Sequence, residues 1–294
     1  MTNARYPHNL PTTDGQSEIL DRILDWANRD DNIRAIVLNG SMTRQAGATD
    51  RFSDLDVQII ATDRAPLIAD DTWLTDIAPV WVAEYLGNGD DFDSRLVFYE
   101  GARKVDFTIN DRRQIDQMSA IQELDFLYRH GYAVLMDKDG LTDRLPAVTP
   151  EIPIAALPTA DEFRLAVDLF WFEAAHMPTY LQRNELWVVK FRDWTMKSSL
   201  LQLLEWHAAV VQQRQVNVWY IGTKMEHWLD RETWEELHGV FGHFDPADCW
   251  RSLLNMIDLF VRITHEIARQ LGYPVPASEH HIRNYILGFA PPAQ

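Results

Sequence analysis

Two short stretches carry the residues best suited to chemistry: Leu38-Asn39-Gly40-Ser41 and, after a spacer of twelve residues, Asp54-Leu55-Asp56-Val57. In an extended segment side chains alternate, so Asp54 and Asp56 project from one face while Leu55 and Val57 project from the other into apolar packing. Two carboxylates a few ångströms apart repel each other unless a divalent cation lies between them. A glycine before Ser41 lets the backbone approach a phosphate closely, and the amides of a turn entering a helix bind its oxygens. Together these parts describe a site for a nucleoside triphosphate with magnesium. A third carboxylate lies in Lys104-Val105-Asp106-Phe107-Thr108. Val105, Phe107 and Ile109 take the apolar face, so Asp106 points the opposite way and joins the pair if its strand neighbours the Asp54 strand. Two magnesium ions about 3.5–4 Å apart then hold both the attacking and the leaving oxygen of an in-line displacement at phosphorus. A lone Asp-x-Asp pair arises often by chance in an acidic chain. The ordered set of strand, Gly-Ser, spacer, Asp-Leu-Asp-Val and a later apolar-Asp-apolar strand is far more specific.

The elements that must position these residues are legible in outline. Ile19, Ile23, Leu24 and Trp26 keep helical spacing over 15–28, after a Thr13-Asp14 cap. Strands are predicted over 33–39, 54–61, 80–86, 95–100 and 104–110, with Gly101-Ala102 folding the last two into an antiparallel hairpin. Between Asp137 and Asp161 lie Gly140, Pro146, Pro150, Pro153 and Pro158, a composition that disfavours regular elements and reads as a linker between two domains. Beyond it the pattern is helical over 162–175 and 185–212. It is clearest over 246–270, where Trp250, Leu253, Leu254, Ile257, Phe260 and Val261 form one face and Asp245-Pro246 the start.

Composition narrows the partners. The chain has 294 residues, with 27 Lys+Arg against 44 Asp+Glu and a formal net charge of −17. Such a chain repels a phosphate backbone and attracts a cationic small molecule, so a nucleic-acid substrate is disfavoured. The single cysteine, Cys249, has no internal partner for a disulfide, which fits a reducing cytoplasm. No signal-like apolar run opens the sequence and no stretch of 18 apolar residues occurs, so neither export nor a membrane span is expected.

At these residues the chain resembles the DNA polymerase beta type of nucleotidyltransferase, and more narrowly the aminoglycoside 6-adenylyltransferases that modify streptomycin. The resemblance runs through IRAIVLNGS, DLDV, RKVDFTI and AVLMDKDG. It continues in LFW at Leu169, LQRNEL at Leu181, LLEW at Leu203 and the run from Trp219 through Trp234 to Trp250. It implies an α+β protein: an N-terminal nucleotidyltransferase domain over 1–145 with a mixed β-sheet flanked by helices, and a C-terminal helical bundle over 146–294 that binds substrate, with an acceptor cleft between them. It puts Gly40 and Ser41 at the triphosphate of ATP, and Asp54, Asp56 and Asp106 on magnesium as the catalytic carboxylates. The family's arginine directly after Gly-Ser is Met42 here, which leaves Arg44 as the candidate for that phosphate contact. Lys224, in Gly222-Thr223-Lys224, is a second phosphate candidate, and Lys190 stands where the family usually has an acidic residue.

The implied reaction is magnesium-dependent transfer of AMP from ATP to an aminoglycoside hydroxyl, the 6-hydroxyl of streptomycin, with release of pyrophosphate and antibiotic resistance as the outcome. Asp106 is the candidate for assisting deprotonation, with Glu173 or Glu205 of the helical domain as alternatives. The partners expected are ATP and a cationic acceptor, with the chain acting as a monomer in the cytoplasm. The rival readings are a nucleotidyltransferase with another small acceptor and a degenerate nucleotide-binding module. A glycosyltransferase also uses Asp-x-Asp, but its pair follows a full nucleotide-binding half domain, whereas Asp54 follows one helix and one strand.

Other features read as structural. His280-His281 beside Glu279 lack a third metal ligand and suit a polar turn at the last helix. Trp171, Trp187, Trp194 and Trp206 lie at helical spacing, so most are expected in the core. Asp137-Lys138-Asp139-Gly140 resembles the start of a calcium loop, but the twelfth position is Val148, so a solvated turn is expected. Cys249 reads as a small packed side chain.

Overall fold

The computed structural model describes residues 13–43, 50, 52–87, 93–148, 156–213 and 221–291. It divides into two compact units, Met1–Glu151 and Ile152–Gln294. Arg44 and Trp219 lie outside the described residues.

The first unit is built on one mixed sheet in the order β3-β4-β5-β2-β1-β6. Its strands are β1 (Ile33–Asn39), β2 (Leu55–Ala61), β3 (Val80–Gly87), β4 (Asp93–Tyr99), β5 (Arg103–Asp111) and β6 (Ala133–Asp137). Strands β2 and β5 are parallel and every other neighbouring pair is antiparallel. The hairpin expected of β4 and β5 is present, with Gly101 and Ala102 both at positive φ in its turn.

Central strands β1 and β2 are buried on both faces, which explains their nearly continuous apolar sequence. On one face Leu55, Val57 and Ile59 pack with Val105, Phe107 and Ile109 and with Ile19, Leu20 and Ile23 of helix α1 (Asp14–Arg29). The opposite face of Ala35, Val37 and Ile60 packs on Ile115 and Met118 of α4 (Arg112–Ile121) and Tyr128 of α5 (Phe126–Arg129). Short helices α2 (Ala65–Ala69) and α3 (Thr72–Ile77) follow β2. The capping of α1 is as expected in place: the Thr13 amide donates to Gln16 Oε1 at 2.8 Å.

Helices α4 and α5 and strand β6 go beyond the elements legible in the sequence. Strand β6 spans only five residues at the sheet edge, and its order comes from pairing with β1. The turn after it, expected to be a solvated one, is held by a side chain: the Asp137 carboxylate accepts from the amides of Asp139, Leu141 and Thr142. Burial acts to raise the Asp137 carboxyl, but these bonds outweigh it and hold the group below its ordinary range.

The second unit is helical: α6 (Ala160–Gln182), α7 (Leu186–Val210), α8 (Met225–Trp228), α9 (Arg231–Leu237), α10 (Pro246–Leu271) and α11 (Ser278–Leu287). Phe170 of α6 stacks on Phe260 of α10 with ring centroids 3.5 Å apart, and Trp171 meets Phe260 edge-on. Asp245 caps α10 by accepting from the Asp248 amide, and Gly272 closes the helix at φ +72°. Helix α6 continues through Pro178, past the predicted end at 175, because Met177, Pro178 and Leu181 are buried against the core. Packing there outweighs the missing amide.

The tryptophan expectation is corrected. Trp171 and Trp206 are buried, but Trp187 and Trp194 are 83% and 62% exposed. With Phe191 they follow i, i+4, i+7 spacing along α7 on a stripe turned away from α6 and α10, and periodicity alone does not say which stripe is inward. Cys249 is buried, with Sγ donating to the His243 carbonyl. His280 and His281 lie in the first turn of α11 rather than before it. No helix among the described residues is long and apolar enough to cross a membrane.

Candidate active site

The carboxylates meet because of register. Asn39, Asp56 and Asp106 stand opposite one another across β1, β2 and β5, and Leu55 pairs with Val105 in the same parallel ladder. Asp54 and Lys104, each one residue earlier, occupy the next row of the same face. There the Lys104 ammonium donates to Asp54 Oδ2 at 2.7 Å and to Asp106 Oδ2 at 2.8 Å. The three side chains are 34% (Asp54), 23% (Asp106) and 30% (Lys104) exposed, so the cluster is half-buried and open to solvent on one side. Burial raises the Asp106 carboxyl above its ordinary value, with Lys104 opposing the shift. Burial acts to lower the Lys104 ammonium, but its two carboxylate partners outweigh that and raise it.

Gly40 is the backbone's contribution. It has φ +72°, and a Cβ built there would come within 1.8 Å of Asp56 Oδ2. Only glycine accommodates both the left-handed conformation and the carboxylate packed against it. Gly40 opens a 3-10 turn, Gly40–Thr43, which sends Met42 into the apolar core at 2% exposure and leaves Ser41 half-buried. Met42 is thus a packing residue. Ser41 Oγ and Asn39 Oδ1 are buried without a hydrogen-bond partner among the described residues. The Asn39 amide nitrogen holds its own side chain in place on the carbonyls of Leu127 and Gly131.

Gln16 adds a support that spacing did not reveal. From α1 its side-chain nitrogen donates to the carbonyls of Asp50 and Ser53, at 3.3 and 2.8 Å, and so fixes the chain just before Asp54. Gln16 joins the polar neighbourhood of the carboxylates, and Lys104 reaches Asp54, only through contacts spanning more than 30 positions. Their one local signal is Lys104's place two residues before Asp106 on the same strand face.

The fit to a divalent cation can be judged from these groups. Asp106 Oδ1 is buried without a hydrogen-bond partner among the described residues, and the Lys104 ammonium already stands as a cation between two of the three acids. The donor set is all hard oxygen, as magnesium requires. As placed, no group of three or more His, Cys, Asp or Glu side chains among the described residues is gathered closely enough to ligate one ion.

The remaining predicted residues lie in the second unit. Lys224 is exposed at the start of the four-residue helix α8, with φ +56°. Lys190 donates to the Gly242 carbonyl at 2.7 Å and tethers α7 to the turn before α10. Glu173 is paired with Arg192 at 2.7 Å. Glu205, half-buried on α7, has no hydrogen bond or ion pair among the described residues, and burial pushes its carboxyl up to about 7. Because that value lies above the ordinary 4.5, the folded chain binds more protons between about pH 4.5 and 7, and this group makes stability fall as pH rises through that window. Glu205→Gln is therefore expected to stabilise the protein by ~1–2 kcal/mol at pH 8 and by little at pH 4.5. Urea melts of both proteins at the two pH values measure it, and equal gains at both would show that the effect is not ionisation.

The streptomycin adenylyltransferase family model matches residues 14–288. An aminoglycoside 6-adenylyltransferase of Bacillus subtilis (strain 168) is 25% identical over 284 residues, covering 93% of this chain and 97% of the relative. One of Campylobacter jejuni is 24% identical over 279 residues, covering 92% and 94%. Among solved structures, an aminoglycoside 6-adenyltransferase from Bacillus subtilis is similar with a TM-score of 0.46 and 21% identity, over 95% of this chain and 98% of that one.

Proposed function

This chain belongs to the streptomycin adenylyltransferase family, which makes it a nucleotidyltransferase, and from that premise we propose that it transfers AMP from ATP to the 6-hydroxyl of streptomycin and releases pyrophosphate. The observation that carries the reading is the row of Asp56 and Asp106 in parallel register, with Gly40 packed on one acid and Asp54 beside the other through Lys104. The first unit acts as the nucleotidyltransferase domain and the helical unit binds the acceptor. The reaction runs in the cytoplasm on a monomer and confers antibiotic resistance.

Asp54, Asp56 and Asp106 would hold magnesium, which when bound supplies Lewis-acid stabilisation of charge on the phosphates. Gly40 lets the backbone lie close against the triphosphate, and the Ser41 hydroxyl supplies a hydrogen bond to a phosphate oxygen. Arg44 and Lys224 are assigned further phosphate contacts. Asp106 takes the proton of the acceptor hydroxyl as its oxygen bonds to the α-phosphorus and the bond to pyrophosphate breaks in line. The net charge of −17 supports a cationic acceptor, because an acidic protein raises the local concentration of guanidinium groups.

The test is direct. Purified protein with ATP and magnesium is incubated with streptomycin, spectinomycin, kanamycin and lincomycin, and masses are read for one added AMP. Streptomycin is expected to gain AMP, and EDTA to abolish the gain. Transfer to another member of the panel and not to streptomycin would overturn the acceptor while leaving the transferase assignment in place.

A further inference from the structure

We propose that Lys104 is the resident counter-ion of the nucleotide site, occupying carboxylate oxygens of Asp54 and Asp106 until a divalent cation displaces it. The inference rests on the assignment of those carboxylates to magnesium. It goes beyond that assignment by making one side chain of the protein a competitor for the ligand oxygens and an organiser of the cluster.

Three observations carry it. One ammonium touches both acids, at 2.7 and 2.8 Å, and in each case it takes Oδ2. The contact is built into the sheet, because Asp54 and Lys104 directly precede Leu55 and Val105, the first pair of the β2–β5 ladder, and Lys104 lies two residues before Asp106 on the same strand face. Finally, Asp56 stands directly opposite Asp106 in the ladder, so without a cation the strand ends would hold three carboxylates in mutual repulsion. Lys104 answers that repulsion in the metal-free protein and keeps the acids assembled.

The consequence is an exchange of cations. A divalent ion and an ammonium cannot both hold the same two oxygens, so a metal that takes Asp54 Oδ2 and Asp106 Oδ2 requires the Lys104 side chain to swing away, which its flexible four-carbon stem permits. Metal affinity in the wild-type protein is therefore reduced by the two ion pairs that must break and by the positive charge that stays nearby. Two partly exposed pairs of this kind correspond to about a tenfold effect on a binding constant. Lys104 is in this sense a positioning residue: it acts through the carboxylates rather than on the nucleotide.

The experiment measures binding rather than turnover. Manganese affinity of the full-length chain is determined without nucleotide, by calorimetry and by electron paramagnetic resonance, for wild type, K104M, K104Q, K104R and D56A. The uncharged variants K104M and K104Q are expected to bind manganese about tenfold more tightly than wild type. Their metal-free melting temperature is expected to fall, and manganese to raise it by more than in wild type. K104R retains the charge and is expected to stay near wild type in affinity, a rescue that loss of a merely structural side chain would not show. Two uncharged variants keep the test open if one of them folds poorly. Unchanged or weaker manganese affinity in the uncharged variants, alongside D56A-sensitive binding in wild type, overturns the counter-ion role and leaves the metal assignment standing. Absence of D56A-sensitive manganese binding in every variant, with or without ATP, overturns both.

Discussion

Asp56→Ala is expected to lower AMP transfer by at least about a thousandfold while leaving the melting temperature unchanged or slightly higher. Asp56 sits at the centre of the polar face, level with Asp106 on one side and Asn39 on the other. Removing its carboxylate takes away a proposed magnesium ligand, on which clamping of the reacting oxygens would depend, and three powers of ten correspond to about 4 kcal/mol of lost transition-state stabilisation. The folded state loses a charge that repels Asp106, and Lys104 keeps both of its carboxylate partners. Turnover and thermal melting on one preparation decide the matter. A variant with near-normal transfer would remove Asp56 from the chemistry. A variant that loses activity together with several degrees of melting temperature would make it a structural acid.

Gly40→Ala is expected to cost at least about a hundredfold in transfer and ~1–2 kcal/mol in stability, from two separable causes. The conformation at φ +72° penalises any side chain by about 1–2 kcal/mol, which is the stability component. The new methyl would also lie 1.8 Å from Asp56 Oδ2, so the carboxylate must swing out of its place, and for the catalytic role proposed for Asp56 a displacement of that size is worth about two powers of ten. Because the second cause acts through Asp56, the two substitutions cannot add. In an Asp56→Ala background, Gly40→Ala should still lower stability but reduce the residual activity hardly at all. Fully additive losses in the double variant would mean that Gly40 serves the reaction by some route other than its contact with Asp56.

What the sequence determined by itself is local in origin. Alternation along 54–57 and 104–109 assigned each side chain to a face, because a strand has a period of two wherever it lies in a sheet. Apolar spacing and an Asp-Pro start marked α10, and positive-φ-tolerant Gly101 marked the β4–β5 turn, because capping and turn chemistry depend on neighbouring residues. The Gly-Ser and Asp-x-Asp pattern was legible for the same reason, and so was the helical character of everything after the proline-rich stretch.

The tertiary structure decided which faces and strands meet. Strand β5 reaches the side of β2 only after the chain has run out through β3 and back through β4, so the pairing of Asp56 with Asp106 depends on topology across 50 positions. The same crossing brings the Lys104 ammonium between two acids and converts an acidic cluster into a partly neutralised one. Gln16 holds the approach to Asp54 from a helix that no motif links to it. On α7, periodicity found a stripe of Trp187, Phe191 and Trp194 but could not say that it faces outward. Edge strand β6 took its order from β1 rather than from its own five residues. In each case the deciding energy is a contact between residues far apart in the chain, and a pattern read along the chain records only which side chains could make such a contact.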